Sequence, residues 1–433
     1  MKVTAQRYFV GVDVGTSGIR ACAIDAAGTL AGEAQAGLPS PEGEGSHSQQ
    51  DPGIWRDVFH RVMSDLLGRI PADRVQSLAV DGTSGTVLLV DEHGQPLTPA
   101  LMYNDARATA EAGRIAELAP RESGAFGATS GLAKALFLID QHRPRGRWRI
   151  VTQADWLAGQ LTGHFDQSDE NNTLKLGFDP VTRRWPNWLA ELGVDTHRLP
   201  EVRPAGTLLA GIAPTIGREL GLPDTARMVA GTTDSVAATL ATGIDTPGQA
   251  VTSLGSTLAL KILSPRPVFA PEYGVYSHRV GEQWLAGGAS NSGGAVLGQF
   301  FSRDQLTKLS ERIDPATPSG LDYYPLPAPG ERFPVSDPAL EPRLTPRPED
   351  DARFLQGLLE GIARIEKAGY QRLAELGAPY PDRVLSVGGG ARNAVWRRIR
   401  QDLLGVPVTT ASQTEAAFGA ALLARRPFAG TTA

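Results

Sequence analysis

The chain has 433 residues, of which 41% are hydrophobic and 21% charged, and its formal net charge is −5. This length exceeds what one hydrophobic core usually supports and predicts two domains. The acidic balance argues against a nucleic-acid partner, and no apolar run reaches the roughly 18 residues of a membrane span.

Cysteine and histidine usage favours a reducing compartment. The single cysteine, Cys22, excludes an intramolecular disulfide, and the seven histidines form no cluster with ligand spacing. The stretch MKVTAQRYFVGVDVG lacks the long apolar segment of a signal peptide. We therefore expect a cytoplasmic protein without a structural zinc site.

The first motif is a glycine-rich turn between two strands. Residues 9–13 predict a buried strand, and the apolar pattern of 19–24 predicts a second one. A P-loop needs Gly-Lys-Ser/Thr at the start of a helix, and a dinucleotide fingerprint needs G-x-G-x-x-G there. Because this turn leads into a strand, both motifs are excluded.

Two later segments repeat this arrangement. DGTSG at 81–85 and GST at 255–257 each lie between two predicted strands. Gly-Thr-Ser turns are common hairpin connections, and a single occurrence would favour that interpretation alone. Three occurrences with acidic residues nearby favour a phosphate cleft, in which the first and third turns are matching hairpins of two related domains.

Helices and strands alternate along the rest of the chain. The apolar spacing of 51–70 predicts an amphipathic helix whose stripe faces the core. Residues 228–243 predict a strand, a turn and a helix that Asp234 or Ser235 would cap. Taken by itself, Asp234 would be interpreted as a plain helix cap.

The C-terminal part begins with ten prolines between residues 314 and 350. Because proline excludes long helices, this segment is predicted to be an extended excursion over the surface. A long helix follows it, then a strand, a triple glycine and a helix over 383–405, and a final helix.

Asp13 ends the first strand at the point where the turn would receive a phosphate. Backbone N–H groups of such turns bind anions, and Thr16 and Ser17 add hydroxyls. A carboxylate there would repel a triphosphate unless a divalent cation lies between them, and Mg²⁺ prefers carboxylates, water and phosphate oxygens. The hypothesis is therefore that Asp13 faces Mg²⁺·ATP.

The order of motifs DxGTxxxR, DGTSG, GTTD, GSTxxL and GGGxxN resembles that of the FGGY carbohydrate kinases over nearly the whole chain. This resemblance implies an α/β fold with two actin-like, ribonuclease-H-type domains flanking a catalytic cleft. Residues 1–241 plus 415–433 would form the sugar and phosphate side, and residues 242–414 the nucleotide side. The short length and the VDGTSGTVLL, LMYN and GTTDSVAATLATG stretches look most like the small D-ribulose kinase branch, which is close to the xylulose kinases.

The resemblance also implies catalytic roles. Asp234 matches the family's catalytic base, which accepts the proton of the attacking sugar hydroxyl, and a helix N-terminus favours its ionised form. Asp13 matches the residue that faces the metal through water. Thr16 and Ser17 would hold the transferring phosphate from one side.

For the nucleotide, the resemblance implies phosphate contacts at the third turn and an adenosine site at the triple glycine. Missing Cβ atoms let the purine and ribose approach the backbone. The residues expected to bind the nucleotide are Thr16, Gly255, Ser256, Thr257, Gly294, Gly389, Gly390, Asn393 and Trp396. For Trp396, a core position on its helix is an equally open alternative.

For the sugar, the expected residues are Asp13, Ser17, Gly18, Arg20, Ser84 and Asp234. Ser84 is expected to contact a hydroxyl by resemblance to the D-ribulose kinases, and a strand-edge salt bridge is the alternative role of Arg20. Asp105, Arg107 and Lys134 also match family positions, whereas Phe137 stands where Trp is common. These departures concern the identity of the sugar and leave the ATP side intact.

The leading hypothesis is an ATP-dependent kinase of a free ketopentose, with D-ribulose at its terminal 5-hydroxyl as substrate and D-xylulose as the close alternative. A different class, an actin-like ATPase acting as sugar sensor or filament, shares the phosphate hairpins but needs no base aimed at a hydroxyl. The expected partners are the sugar, ATP and Mg²⁺, in a monomer or homodimer without nucleic acid or membrane.

Overall fold

The computed structural model describes residues 6–429 as an α/β protein with two compact units. The first unit comprises the chain up to Ala241 together with the segment from Glu415 onward, and the second unit is Thr242–Thr414. Residues 1–5 and 430–433, which the predicted first domain includes, lie outside the described residues.

The secondary structure of the described residues is numbered here in chain order. The strands are β1 (Tyr8–Val14), β2 (Gly18–Asp25), β3 (Leu30–Gly37), β4 (Gln49–Gln50), β5 (Val75–Gly82), β6 (Val87–Asp91), β7 (Ala100–Leu101), β8 (Trp148–Thr152), β9 (Gln167–Asp169), β10 (Glu201–Arg203), β11 (Leu208–Gly211), β12 (Arg227–Thr233), β13 (Gln249–Leu254), β14 (Leu258–Ser264), β15 (Tyr276–Val280), β16 (Gln283–Ser290), β17 (Arg383–Val387) and β18 (Val408–Thr410). The helices are α1 (Pro52–Leu67), α2 (Thr109–Leu118), α3 (Gly131–His142), α4 (Gln153–Thr162), α5 (Trp188–Glu191), α6 (Pro214–Leu220), α7 (Asp234–Ala241), α8 (Gly294–Phe300), α9 (Arg303–Ser310), α10 (Asp351–Glu375), α11 (Ala394–Leu404) and α12 (Ala416–Arg425).

A six-stranded mixed sheet lies at the centre of the first unit, in the order β11-β12-β5-β1-β2-β3. Strands β1, β5 and β12 are parallel neighbours, whereas β2, β3 and β11 run antiparallel to their partners. Successive side chains of a strand point to opposite faces. Val12 therefore packs with Trp55 of α1 on one face, and Phe9 packs with Ala420 of α12 on the other.

The second unit contains a sheet of the same design, in the order β15-β16-β14-β13-β17-β18. Strands β13, β17 and β18 are parallel, and β14, β16 and β15 alternate antiparallel. The hairpin β13–β14 thus lies between two parallel strands and an antiparallel strand, as β1–β2 does in the first sheet. The prediction of two matching hairpins in two related α/β domains is confirmed.

The prediction that DGTSG forms another hairpin is wrong. Strand β5 belongs to the six-stranded sheet, whereas β6 pairs with β7 and β8 in a separate four-stranded sheet, β4-β7-β6-β8. The inner residues Val87 and Leu89 of β6 pack with Leu132 and Leu136 of α3 in their own apolar cluster. The DGTSG segment therefore carries the chain from one sheet to another.

The proline-rich segment 314–350 contains no helix, as predicted, but it does not run only over the surface. Tyr323 and Phe333 are buried in the apolar core of the second unit. The ring of Tyr323 lies 5.8 Å from that of Phe354 on α10. Aromatic residues between the prolines therefore anchor the excursion to the core, which proline content alone does not indicate.

A fully buried ion pair joins α10 and α11 to the second sheet. Arg400 donates from Nε and Nη2 to the carboxylate of Glu366 at 2.6 and 2.7 Å, and from Nη1 to Ser386 Oγ at 2.7 Å. Thr252 Oγ1 donates to the same carboxylate at 2.6 Å. Buried charges are tolerated when they are paired and hydrogen-bonded in this way.

Strand β12 contains a bulge immediately before its C-terminal end. Val229 pairs with Ala79 and Thr232 with Asp81, so two residues of β12 face one residue of β5. A Cβ atom on Gly231 would lie 1.8 Å from the carbonyl oxygen of Val80. Only glycine fits this close approach of two backbones. The bulge also changes the direction of β12 just before the chain continues into α7.

We expect Gly231→Ala to lower the free energy of unfolding by about 3 kcal/mol or more, because the two backbones must separate to admit a methyl group. The matched control is Gly113→Ala on the exposed side of α2, where a Cβ meets nothing within 4 Å. That change should stabilise the helix by up to about 1 kcal/mol. Thermal and denaturant unfolding test both, and equal midpoints for the two variants would refute the bulge argument.

Arg400→Met should cost about 3–5 kcal/mol, because it leaves the Glu366 carboxylate buried without its cation. Arg398→Met provides the control, since Arg398 pairs with Asp402 at 2.9 Å on the exposed side of the same helix. Exposed pairs contribute about 0–1 kcal/mol. Denaturant unfolding at neutral pH measures the difference, and a similar loss in both variants contradicts the assignment.

Candidate active site

The turn between β1 and β2 presents backbone N–H groups. Gly15 N–H donates to the carbonyl oxygen of Gly18 at 3.0 Å, which closes the turn. Over residues 6–429, the N–H groups of Thr16 and Ser17 have no backbone acceptor, and such groups can bind an anion. A Cβ on Gly18 would lie 2.8 Å from the Ala36 carbonyl oxygen of β3, so this glycine permits close strand packing.

Asp13 and Arg20 face each other across the same hairpin. Arg20 Nη1 lies 3.2 Å from Asp13 Oδ2, and the Asp13 side chain is 8% exposed whereas that of Arg20 is 42% exposed. Arg20 also approaches the carboxylate of Glu415 at 3.9 Å. The strand-edge salt bridge considered for Arg20 is therefore present, and Asp13 lies at the mouth of the turn as predicted.

Asp81 is a second buried carboxyl beside Asp13, on the neighbouring parallel strand. The two residues are paired in the β1–β5 register, and among the described residues no donor reaches either oxygen of Asp81. Burial raises the pKa of Asp81 well above its usual range, and the nearby carboxylates of Asp13, Asp234 and Asp169 raise it further. A raised pKa disfavours the charged form of Asp81 and so lessens the repulsion between the two acids at this edge of the sheet.

Asp234 is the first residue of α7 and follows β12 directly. Its side chain is half-buried, and Oδ1 accepts a hydrogen bond from Ser235 N–H at 2.6 Å. The acid therefore lies at a helix N-terminus, where negative charge is stabilised. Asp234 can therefore stabilise the start of α7 through its hydrogen bond to Ser235 N–H and still be available as a base.

A buried polar loop follows β9 and lies against the end of β12. Burial and the Asp155 carboxylate raise the pKa of Asp169 to about 8, while hydrogen bonds from Asn172 and Asn171 oppose the shift. Asn172 Nδ2 also reaches the Thr232 carbonyl oxygen at 3.1 Å. A polar side chain of this loop thus reaches β12, the strand that leads into Asp234.

Several buried polar atoms in and around the DGTSG segment, including Ser84 Oγ, lack partners within residues 6–429. The Ser84 Oγ is buried and has no hydrogen-bond partner in the part of the chain that the structure describes. Gln153 Oε1 accepts from the Thr83 N–H and hydroxyl at 3.1 and 2.8 Å, which leaves its Nε2 without an acceptor. The Thr233 hydroxyl is likewise unpartnered. Such atoms are rare in protein interiors and can mark a ligand or water site.

The charged groups of Asp105, Arg107 and Lys134 already have partners within the first unit. Arg107 Nη2 lies 2.7 Å from the buried carboxylate of Asp105, and its guanidinium lies 5.8 Å from the Phe137 ring. Lys134 Nζ donates to the Met102 carbonyl oxygen at 2.6 Å. Burial lowers the pKa of Lys134 to about 7, and the nearby cation of Lys175 acts in the same direction.

In the second unit, the β13–β14 turn is braced by the segment that begins α8. The carbonyl oxygens of Gly255 and Ser256 accept from Gly294 and Ala295 N–H at 2.8 and 3.0 Å. A Cβ on Gly294 would lie 2.7 Å from the Gly255 oxygen. Ser256 and Thr257 are exposed, and within the described ranges their N–H groups have no backbone acceptor. This turn can therefore bind an anion as the first one can.

The triple glycine lies beside the same turn. At Gly388 a Cβ would lie 2.8 Å from the Leu254 carbonyl oxygen, whereas at Gly389 it would meet nothing within 4 Å. A Cβ on Gly390 would lie 2.5 Å from the Trp396 ring. Gly389 therefore has open space for a ligand, while the small size of Gly390 is needed for packing.

The side chains of Trp396 and Asn393 form hydrogen bonds within the second unit. Trp396 is 2% exposed, and its indole N–H donates to the Leu359 carbonyl oxygen at 3.0 Å. The expectation that Trp396 lines the purine is corrected to the core alternative. Asn393 caps α11 through Trp396 N–H and donates to Ser310 Oγ at 2.9 Å. Both Oδ1 and Nδ2 of Asn393 thus form hydrogen bonds within the second unit.

Four residues of this region, Asp81, Asp169, Asn171 and Asn172, are not among the site residues predicted from the sequence. A signal for Asp81 exists, because it ends a V-D strand just as Asp13 does, and neighbouring parallel strands bring their ends together. The loop SDENNT has no such signal, because buried polar loops lack a hydrophobic period.

Within residues 6–429 no helix is both long enough and apolar enough to cross a membrane. Over the same span, no group of three or more His, Cys, Asp or Glu side chains is arranged to hold a metal ion.

Comparison with known proteins agrees with this architecture. The chain is 26% identical to the xylulose kinase of Escherichia coli over 96% of its own length and 89% of the relative. It is 26% identical to the autoinducer-2 kinase of Yersinia enterocolitica over 97% and 86% of the two chains. The solved xylulose kinase from Rhodospirillum rubrum superposes with a TM-score of 0.86 at 22% identity, covering 99% and 91%.

Both domains of one family match the chain. Residues 8–241 match the N-terminal domain and residues 250–426 the C-terminal domain of the FGGY family of carbohydrate kinases. The second match extends through α12, which the structure assigns to the first compact unit. On the strength of these matches, the chain belongs to the FGGY family of carbohydrate kinases.

Proposed function

We propose that the protein transfers the γ-phosphate of ATP to the terminal hydroxyl of a free ketopentose, with D-ribulose as its substrate and Asp234 as the base. The observation that carries this proposal is the half-buried carboxylate of Asp234 at the start of α7, directly after β12. The parallel neighbour of β12, β5, carries Asp81 near its end, and the next parallel strand, β1, carries Asp13. Membership of a carbohydrate kinase family supports the reaction class.

In the proposed reaction the sugar oxygen forms a bond to the γ-phosphorus, and the bond from that phosphorus to the β–γ bridging oxygen breaks. Asp234 orients the hydroxyl and takes its proton, and ADP leaves. The transition state of phosphoryl transfer is loose, so positioning and charge stabilisation do most of the work. The N–H and hydroxyl groups of Thr16 and Ser17 would hold the phosphate in transfer, and those of Ser256 and Thr257 the nucleotide phosphates.

The residues fit a magnesium ion that travels with the nucleotide. Mg²⁺ usually takes one or two carboxylates and fills its other positions with phosphate oxygens and water. Asp13 meets that requirement at the mouth of the turn, and the Asp81 oxygens beside it have no protein donor. Bound there, the ion would neutralise phosphate charge as the reaction proceeds.

D-Ribulose is proposed on the resemblance of the DGTSG segment and its Ser84 to the D-ribulose kinases, and the unpartnered Ser84 Oγ supports a polar contact at that position. D-Xylulose is the second candidate, favoured by the names of the relatives. The two sugars differ in the configuration of one hydroxyl. A coupled ADP-release assay against D-ribulose, D-xylulose, L-ribulose, glycerol and gluconate separates them. ATP hydrolysis unaffected by any sugar would instead favour a sensor or filament.

Asp234→Asn should lower kcat by about 10²-fold or more, because the amide keeps the shape but cannot accept the proton. Binding of ATP, measured by calorimetry, should be unchanged. Asp73→Asn, at an exposed position, is the control and should keep full activity. Near-normal turnover in Asp234→Asn would remove this residue as the base.

Asp13→Asn should raise the Mg²⁺ concentration that gives half-maximal velocity several-fold at fixed ATP, because the amide carries no charge for the ion. Arg20→Met separates this effect from loss of the Asp13–Arg20 ion pair. We expect Arg20→Met to leave the Mg²⁺ requirement near that of the parent. The same shift in both variants would assign the effect to the ion pair and refute the metal role.

A further inference from the structure

The segment that precedes Asp234 is only partly fixed by the sheet. The bulge at Gly231 interrupts the regular pairing of β12 with β5, which resumes at Thr232. The hydroxyl of Thr233 has no partner among the described residues. Thr232 and Thr233 pair with Asp81 and Gly82 of β5, and Thr232 is the last residue before Asp234 whose side chain a neighbouring segment holds. Contacts to Thr232 therefore add to the strand pairing in positioning the start of α7.

Two asparagines of the loop after β9 make those contacts. Asn171 Nδ2 donates to the Thr232 hydroxyl oxygen at 3.0 Å, and Asn172 Nδ2 donates to the Thr232 carbonyl oxygen at 3.1 Å. Asn171, Asn172 and Thr232 are 1%, 2% and 0% exposed. Because water does not reach these groups, each donor must keep its acceptor, and the pair fixes both the backbone and the side chain of Thr232.

Asp169 in turn fixes the two asparagines. Its Oδ1 accepts from the backbone N–H groups of Asn171 and Asn172 at 2.8 and 3.0 Å, and its Oδ2 accepts from Asn172 Nδ2 at 2.6 Å. The Thr173 hydroxyl donates to the Asp169 carbonyl oxygen at 2.8 Å. This carboxylate thereby orients the amide of Asn172 so that its nitrogen faces Thr232.

We propose that Asn171 and Asn172 are positioning residues of this kinase, which aim the Asp234 carboxylate by holding Thr232. The inference rests on the proposed role of Asp234 as the base. The loop belongs to the first unit, and both asparagines contact Thr232, two residues before α7 begins. A displacement of about 1 Å in a catalytic group can cost about 10²-fold in rate, so loss of these contacts lowers kcat.

The test uses the full-length protein and an isosteric pair at Thr232. Thr232→Val keeps the shape but cannot accept from Asn171, whereas Thr232→Ser keeps the hydroxyl. We expect kcat of Thr232→Val to fall about tenfold or more. The KM for ATP should change less than twofold, roughly, because the nucleotide is bound elsewhere. Thr232→Ser should restore kcat to near the parent value.

Asn171→Ala removes the same hydrogen bond from the other side and should lower kcat to a similar extent. Because both changes delete one interaction, the double variant should be no slower than the slower single variant. Asn187→Ala, at an exposed asparagine, is the matched control and should leave kcat unchanged. If Thr232→Val does not fold, Asn171→Ala and its comparison with Asn187→Ala decide the question.

A merely structural role predicts another pattern. The midpoint of thermal unfolding would fall in Thr232→Val and Asn171→Ala, while kcat measured well below that midpoint would equal the parent value; this result overturns the inference. Asp234→Asn separates the two proposals. If Asp234→Asn is inactive and Thr232→Val is fully active, the positioning role alone fails. If Asp234→Asn stays active, the assignment of the base fails first.

Discussion

The site of the first unit depends on one constraint, the parallel course of β1, β5 and β12. Parallel neighbours end at the same edge of a sheet, so the residues that follow each strand are brought together whatever their distance in sequence. Asp13, Asp81 and the Thr232–Asp234 segment lie at this edge for that reason. Acidic groups at such an edge are tolerated because Arg20 pairs with Asp13 and because burial raises the pKa of Asp81, which disfavours a second negative charge there.

The second unit has a similar sheet topology but presents different groups at the corresponding edge. Its hairpin β13–β14 and the end of β17 also lie side by side, but they present backbone N–H groups and glycines where the first unit presents carboxylates. The polar network of Glu366 and Arg400 lies under these elements and ties β13 and β17 to two helices. The difference between an acidic edge and an uncharged edge lies in the side chains, since the five strands β12-β5-β1-β2-β3 and β18-β17-β13-β14-β16 have the same arrangement.

More of the fold than of the candidate site could be predicted from the sequence. The strands around Asp13 and the helix after Asp234 are marked by strong apolar periods and by glycine turns, so their positions could be predicted. Sheet membership could not, because β5 and β6 have the pattern of a hairpin and only tertiary packing places them in different sheets. The role of Trp396 depends on which face of α11 meets the core, and the contacts of Asn171 and Asn172 join segments about 60 residues apart that no local pattern links.

The position of α12 in the sequence means that the first unit is completed only late in synthesis. This helix covers the face of the first sheet that carries Phe9, Cys22 and Ala79, yet it is synthesised after the whole second unit. Until α12 is synthesised, it cannot cover this apolar face, on which Cys22 lies. In the folded protein burial raises the pKa of the Cys22 thiol to about 12, which disfavours the thiolate that oxidants attack. The packing of α12 on this face therefore both completes the core and contributes to shielding the protein's single cysteine.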